Sequence, residues 1–89
     1  MPSNIRKILK EFKQALMRLY GDRIKSIYLF GSYARGDYED GSDLDILVVL
    51  DTFRFHNKEI SRTAELVSDL SLQYLITVSP MFMRERDWI

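Results

Sequence analysis

Residues 27–50, IYLFGSYARGDYEDGSDLDILVVL, decide the fold of this chain. The stretch opens with an apolar run, breaks at Gly31-Ser32, crosses ten mostly polar residues and resumes as Asp43-Leu44-Asp45 before a run of aliphatic residues. Short apolar runs that are bounded by turn residues are typical of buried strands. The stretch therefore predicts two strands that are joined by a loop large enough to hold a phosphate group.

Asp43 and Asp45 are predicted to share one face of the second strand. Side chains alternate along a strand, so the two carboxylates project from one side while Leu44 and Ile46 point into the core. Two adjacent carboxylates repel each other, which suggests that a cation normally lies between them, and oxygen ligands favour Mg²⁺ or Mn²⁺. A solvated strand edge or a cap is the commoner explanation of an isolated Asp-x-Asp.

Gly31-Ser32 directly follows the first strand and is predicted to open a short helical turn that reaches Arg35. Glycine permits close approach of the backbone, serine supplies a hydroxyl, and N–H groups at a helix start attract phosphate oxygens. A lone Gly-Ser is usually an ordinary turn. Combined with the carboxylate pair, it indicates metal-assisted attack on a nucleotide phosphate, with the diphosphate held by this turn.

Nine residues of the stretch form one spaced motif. They are Gly31-Ser32, Ala34-Arg35-Gly36, Ser42 and Asp43-Leu44-Asp45. The motif resembles the signature of the nucleotidyltransferase superfamily typified by DNA polymerase beta, and most closely that of the minimal nucleotidyltransferases, often called MNT proteins. The resemblance covers nearly the whole chain. It implies an α/β (α+β) polymerase-beta-like fold, with a small mixed β-sheet and helices packed on one face.

The resemblance also implies a function. Many MNT proteins are antitoxins whose partner is a HEPN-domain ribonuclease toxin, and an active one would transfer AMP from Mg-ATP to a hydroxyl of that partner. Asp43 and Asp45 would be catalytic and would hold Mg²⁺ or Mn²⁺. The nucleotide, with ATP as the substrate, would contact Gly31, Ser32, Arg35 and Ser42.

The polar loop between the two strands leaves two roles open for Arg35. The side chain could touch the triphosphate, or it could pair with an acid of the loop and so fix the loop. The acidic cluster Asp37, Glu39 and Asp40 is expected to form a solvated rim of the site.

A third strand is predicted over residues 72–78, with Gln73, Leu75 and Thr77 on one face. In the superfamily, a third carboxylate from this neighbouring strand completes the metal site. Here LSLQYLITVSP resembles a family stretch of the form LSLEYDVxxSP, so Leu75 occupies the place of the third Asp. Ser79-Pro80 is expected to end the sheet, because proline cannot donate a ladder hydrogen bond.

Leu75 leaves more than one interpretation open. The chain is an active transferase, or it is a catalytically degenerate nucleotide-binding antitoxin that neutralises its partner by binding alone. A carboxylate from elsewhere could also substitute for the third one. The candidates for that role are Asp37, Glu39, Asp40 and Asp69. A stand-alone transferase acting on a small molecule is disfavoured, because such enzymes hold their acceptor with an additional helical domain.

The remaining elements follow from periodicity. Apolar residues at three- and four-residue spacing predict an amphipathic helix over residues 4–20 and a second helix over residues 58–70. A strand, a helix and a strand in this order favour a crossover that covers one side of the sheet. The first strand is apolar on both faces, which predicts a central position with cover above and below.

Composition limits the class of protein. The 89 residues are expected to form one domain, residues 1–89, whose modest core makes a partner surface plausible, in a homo- or hetero-oligomer. The 13 basic and 13 acidic residues cancel, which argues against nucleic-acid binding through overall charge but leaves a local patch open. The chain has no cysteine and shows neither a membrane span nor a signal-peptide pattern, which fits the cytoplasm.

Overall fold

Helices and strands alternate along residues 3–88, the part of the chain that the computed structural model describes. The helices are α1 (Ser3–Tyr20), α2 (Ser32–Arg35) and α3 (His56–Tyr74). The strands are β1 (Ile24–Phe30), β2 (Leu44–Leu50) and β3 (Val78–Arg84). Short 3-10 turns follow α1 and β3, at Gly21–Arg23 and Glu85–Asp87. None of the helices within these residues is long and apolar enough to cross a membrane.

The sheet is small and mixed, as predicted. Its order is β1-β2-β3, with β1 antiparallel to β2 and β2 parallel to β3. A parallel pair requires a crossover connection, and α3 provides it. In the register of the strands, Asp45 of β2 lies between Phe30 of β1 and Ser79 of β3.

The hydrophobic core lies between the sheet and the helices α1 and α3. Every second residue of β2 is fully buried in it, and the apolar stripe of α1 packs against the same layer. The sheet residues Leu44, Ile46, Val48 and Leu50 and the helix residues Ile5, Ile8, Phe12 and Leu16 form its centre. The prediction that the helices pack on one face of the sheet is confirmed.

The opposite face of the sheet, which we call the open face, carries the alternate residues of each strand. On β2 these include Asp45 and Leu47, neither of which belongs to the core cluster. Tyr28 and Met81 flank Leu47 and stay partly accessible, and the Trp88 ring packs on Tyr28 at a tilt of 31°, with ring centroids 5.0 Å apart. Among the described residues, neither α1 nor α3 packs on this face, although its β2 residues after Asp45 are at most 9% exposed. The prediction that β1 is a central strand is wrong, because β1 lies at the edge of the sheet.

The connection from α3 to β3 differs from the prediction. Residues 72–74, expected to begin a strand, form the last turn of α3, where the Tyr74 hydroxyl donates a hydrogen bond of 2.6 Å to Oε2 of Glu11 on α1. Leu70 and Tyr74 lie four residues apart and both pack against the core, as helical spacing requires. These contacts favour a helix over the strand that the alternation of residues 72–78 predicted. β3 begins only at Val78.

Two residues at this end of the sheet explain the error further. Leu75 caps α3 in a left-handed conformation, with φ 54° and ψ 43°, and its N–H donates to the carbonyl of Ser71. Pro80 lies inside β3 and does not end the sheet. Proline is tolerated there because β3 is an edge strand, where the missing N–H costs no ladder hydrogen bond.

Candidate active site

The glycine-serine turn and the carboxylate strand meet on the open face. Gly31 has φ 75° and ψ −156°, a conformation that is essentially restricted to glycine. A Cβ atom built at Gly31 would overlap Oδ2 of Asp45 and would lie 3.1 Å from its Cγ. The Asp45 carboxylate thus rests directly against the Gly31 backbone, and two motifs fourteen positions apart form one site.

Asp43 and Asp45 lie at the start of β2. They flank Leu44, which is fully buried on the core side, so strand alternation directs both carboxylates away from the core. Asp45 is half-buried and Asp43 is exposed. The structure therefore places both predicted residues at the N-terminal end of the central strand.

Ser32 is the first residue of α2, immediately after Gly31. Its carbonyl accepts hydrogen bonds from the N–H groups of Gly36 at 2.9 Å and Asp37 at 3.2 Å, which closes the turn. A single helical turn has only a small dipole. An anion at this turn would therefore be bound by the Ser32 hydroxyl and by the nearby backbone N–H groups. Ser32 is half-buried beside the open face.

The loop between α2 and β2 is fixed by three local contacts. The guanidinium of Arg35 lies 3.3 Å from the Asp37 carboxylate, so Arg35 takes the loop-fixing position in this structure. The Ser42 hydroxyl accepts a hydrogen bond of 2.8 Å from the N–H of Glu39, and the Ser42 N–H donates to the Glu39 carbonyl. Arg35 and Ser42, two of the four residues predicted to contact a nucleotide, are therefore engaged with the loop itself. The Arg35 pair is solvent-exposed, and such pairs exchange partners at little cost.

The third contact is a stacked pair of tyrosines that sequence reasoning missed. The rings of Tyr33 and Tyr38 lie 4.5 Å apart at 12°. Burial, together with the nearby Tyr38 and Asp40, raises the pKa of Tyr33. The stack borders a cavity of about 420 Å³ between the loop, the start of α1 and the α3–β3 connection. The sequence signal that could have predicted this stack is the presence of a tyrosine on each side of the Arg35-Gly36 turn.

The position of the third carboxylate is corrected by the structure. Leu75 is 91% exposed in the connection that precedes β3, so it does not lie on the strand beside Asp45. The residue of β3 that pairs with Asp45 is Ser79. The register between β2 and β3 depends on where β3 begins, and no signal in the sequence identified Ser79 as the partner of Asp45.

Among the residues that the structure describes, no other acid takes the third position. Within residues 3–88, no three His, Cys, Asp or Glu side chains are grouped so that they could hold a metal ion. Asp69 belongs to α3 and lines a depression between α1 and α3, away from β2. The predicted substitutes Asp37, Glu39 and Asp40 do not form such a group with Asp43 and Asp45.

The residues present fit one divalent cation whose ligands come partly from the protein and partly from a nucleotide. Asp43 and Asp45 offer oxygen ligands on an accessible face, and Mg²⁺ commonly uses one or two carboxylates together with phosphates and water. They do not fit a cation held by three protein carboxylates.

Comparison with known proteins identifies the family of this chain. Residues 5–86 match the family described as nucleotidyltransferase domain, and the chain belongs to this family. The match includes the glycine-serine turn, the carboxylate pair and all of β3. The family generally uses a nucleoside triphosphate and a divalent metal.

Relatives in Methanocaldococcus jannaschii carry the provisional name protein adenylyltransferase. One is 37% identical over 78 residues, which cover 88% of this chain and 78% of the relative. A second is 42% identical over 82 residues, 92% of this chain and 76% of the relative. A third is 39% identical over 83 residues, but these make up only 55% of its length. No solved structure matches the chain.

Proposed function

We propose that this chain is an MNT-type adenylyltransferase that moves AMP from Mg-ATP to a hydroxyl of a partner protein. The observation that carries the proposal is the contact between Gly31 and the Asp45 carboxylate on the open face. It unites a turn suited to phosphate with carboxylates suited to Mg²⁺. The names of the relatives support a protein as the acceptor.

The roles of the residues follow from their positions. Asp43 and Asp45 hold the cation, and the Gly31-Ser32 turn receives the phosphates, because only glycine lets the backbone approach Asp45 so closely. Ser42 shapes the loop that leads into Asp43. Arg35 can leave its exposed pair with Asp37 for the triphosphate, since such a pair contributes at most about 1 kcal/mol.

The reaction is a displacement at the α-phosphate of ATP. The acceptor oxygen forms a bond to the α-phosphorus, the bond to the bridging oxygen breaks, pyrophosphate leaves, and the hydroxyl proton passes to a base. Asp43 and Asp45 would hold Mg²⁺, which would supply neutralisation of the charge on the triphosphate. The protein contributes chiefly by positioning, which is the main source of catalysis in transfers of this type.

We propose a HEPN-domain toxin as the acceptor and the cytoplasm as the setting, as the resemblance of the motif implies. The open face is where such a partner would present its hydroxyl, because within residues 3–88 the helices α1 and α3 pack on the other face of the sheet. AMP on a residue that the toxin needs would silence it.

A second candidate function is neutralisation by binding alone. It is favoured by β3, which carries Ser79 opposite Asp45 and no carboxylate anywhere along its length. A site with two carboxylates can bind Mg-ATP while aligning the attacking oxygen poorly. The two candidates differ in whether AMP appears on the partner.

The test is AMP transfer from labelled ATP, with Mg²⁺ or Mn²⁺, to the protein encoded by the neighbouring gene. The proposal predicts label on the partner that is lost at least 100-fold in Asp43→Asn and retained in Asp69→Asn, a matched change far from the site. A complex that forms and silences the partner without any label would support the binding-only candidate. Label that survives Asp43→Asn would contradict the assignment of the site.

A further inference from the structure

The end of the sheet opposite the candidate active site is strongly basic. Two adjoining depressions of about 510 and 340 Å³ lie there and share Arg23, Phe53 and Arg54. The cations that line them are Arg23, Arg54, Lys58, Arg62, Arg84 and Arg86, which we call the basic pole. Glu59 is the single carboxylate among the described residues that line either depression, and it is 4% exposed.

Part of this positive charge is balanced and part is free. Arg23 pairs with Asp51 at 3.2 Å, Arg84 with Asp87 at 2.8 Å, and Arg62 with Glu59 at 3.8 Å. Arg54 and Arg86 are exposed, and neither lies within 4.0 Å of a carboxylate of the residues described. In a chain whose overall charge is zero, the basic pole is therefore a local excess that the fold creates.

Aromatic rings are interleaved with these cations. Phe53 forms the apolar floor between the two depressions, and the guanidinium of Arg84 lies 5.7 Å from the centre of its ring. Phe55 lies beside Arg54 and is 53% exposed. An exposed ring next to arginines offers a stacking surface for a base.

The basic pole is remote from the transfer site. β2 carries Asp45 near its first residue and ends at Leu50, and Thr52 follows at the edge of the larger depression. At roughly 3.3 Å per strand residue, the two sites are about 20 Å apart. A ligand at the basic pole therefore need not touch the nucleotide site.

We propose that the basic pole binds the phosphate backbone of a single-stranded nucleic acid, with a base stacked on Phe55. Guanidinium groups suit phosphate because they offer several N–H donors in one plane. The chain is neutral, so overall charge does not drive this binding. The local group of arginines drives it. The inference does not depend on the proposed transfer activity.

The test measures binding of a fluorescein-labelled single-stranded RNA of twelve uridines by fluorescence polarisation at 50 mM salt. In Arg54→Gln/Arg86→Gln, Kd is expected to rise at least tenfold, and the slope of log K against log salt to fall by about 1.4. Arg6→Gln/Lys10→Gln on the exposed side of α1 removes the same charge and is expected to change Kd less than twofold. Thermal unfolding checks that both double variants are folded.

A third variant separates nucleic acid from an acidic protein surface. Phe55→Ala is expected to weaken RNA binding about tenfold while leaving the salt slope unchanged, because stacking is lost and phosphate contacts are kept. The proposal is overturned if the wild type does not bind the RNA, or if both double variants lose affinity equally. It is also overturned if polyglutamate displaces the RNA at equal charge and Phe55→Ala has no effect, which would assign the basic pole to an acidic protein.

Discussion

The two faces of the sheet use neighbouring residues of the same strands for different purposes. On the helix side, Ile46 and Phe82 are sealed beneath α1 and α3. On the open face, the adjacent positions carry the Asp45 carboxylate, pressed against Gly31, and the exposed Met81.

The difference shows how a chain of this size combines stability with a reactive site. Burial of apolar side chains stabilises one face, and that gain offsets the cost of placing two carboxylates side by side on the other. Strand alternation keeps the two functions one residue apart. Changes on the core face should therefore affect folding, and changes at the accessible positions of the open face should affect binding.

The largest expected effect comes from truncating a core side chain. Phe82→Ala should lower the free energy of unfolding by about 3–5 kcal/mol, because Phe82 is 5% exposed and its loss leaves a cavity. Met81→Ala, one position along on the open face, should cost less than about 1 kcal/mol, since Met81 is 53% exposed. Urea denaturation followed by circular dichroism measures both, and equal losses would refute the distinction between the faces.

A smaller loss of stability, with a large loss of binding, is expected at Gly31. Gly31→Ala should cost about 1–3 kcal/mol through its positive φ and should abolish ATP binding by displacing the Asp45 carboxylate. Gly36→Ala is the matched control, because Gly36 also has a positive φ, 88°, but nothing lies within 4 Å of a Cβ built there. Denaturation and calorimetric titration with Mg-ATP test the pair. If Gly36→Ala loses ATP binding as fully as Gly31→Ala, the effect is strain alone.

The smallest expected effect is a change in the Mn²⁺ affinity of the open face. Ser79→Asp should tighten Mn²⁺ binding about tenfold, because it sets a third carboxylate beside Asp45. Leu75→Asp should change Mn²⁺ affinity less than twofold, because Leu75 lies in the exposed cap of α3. Electron paramagnetic resonance of free Mn²⁺ measures both affinities. A gain with Leu75→Asp and none with Ser79→Asp would show that the register of β3 differs from that described here.

The parts of the fold that local pattern controls were predictable. The stripe of α1, the strands on either side of the polar loop and the crossover follow from periodicity and turn residues, and the structure confirms them. The mixed sheet, which the family resemblance implied, is confirmed as well. The placement of Asp43, Asp45 and the Gly31-Ser32 turn at one end of the sheet follows from the same stretch.

The parts that depend on tertiary contact were not predictable. Residues 72–75 alternate well enough for a strand, but the hydrogen bond of Tyr74 to Glu11 and the burial of Leu70 keep this stretch helical as far as Tyr74. Pro80 is compatible with a strand only because β3 lies at an edge. The residue opposite Asp45 could not be named until both facts were known.

The central claim is that the open face at Asp45 is a metal-dependent nucleotide site. It is tested most directly by calorimetric titration of ATP into the wild type, Asp45→Asn and Asp69→Asn, each with Mg²⁺ and with EDTA. We expect Mg²⁺-dependent binding in the wild type and in Asp69→Asn, and a loss of at least 100-fold in a folded Asp45→Asn. Unchanged Mg²⁺-dependent affinity in Asp45→Asn would contradict the account.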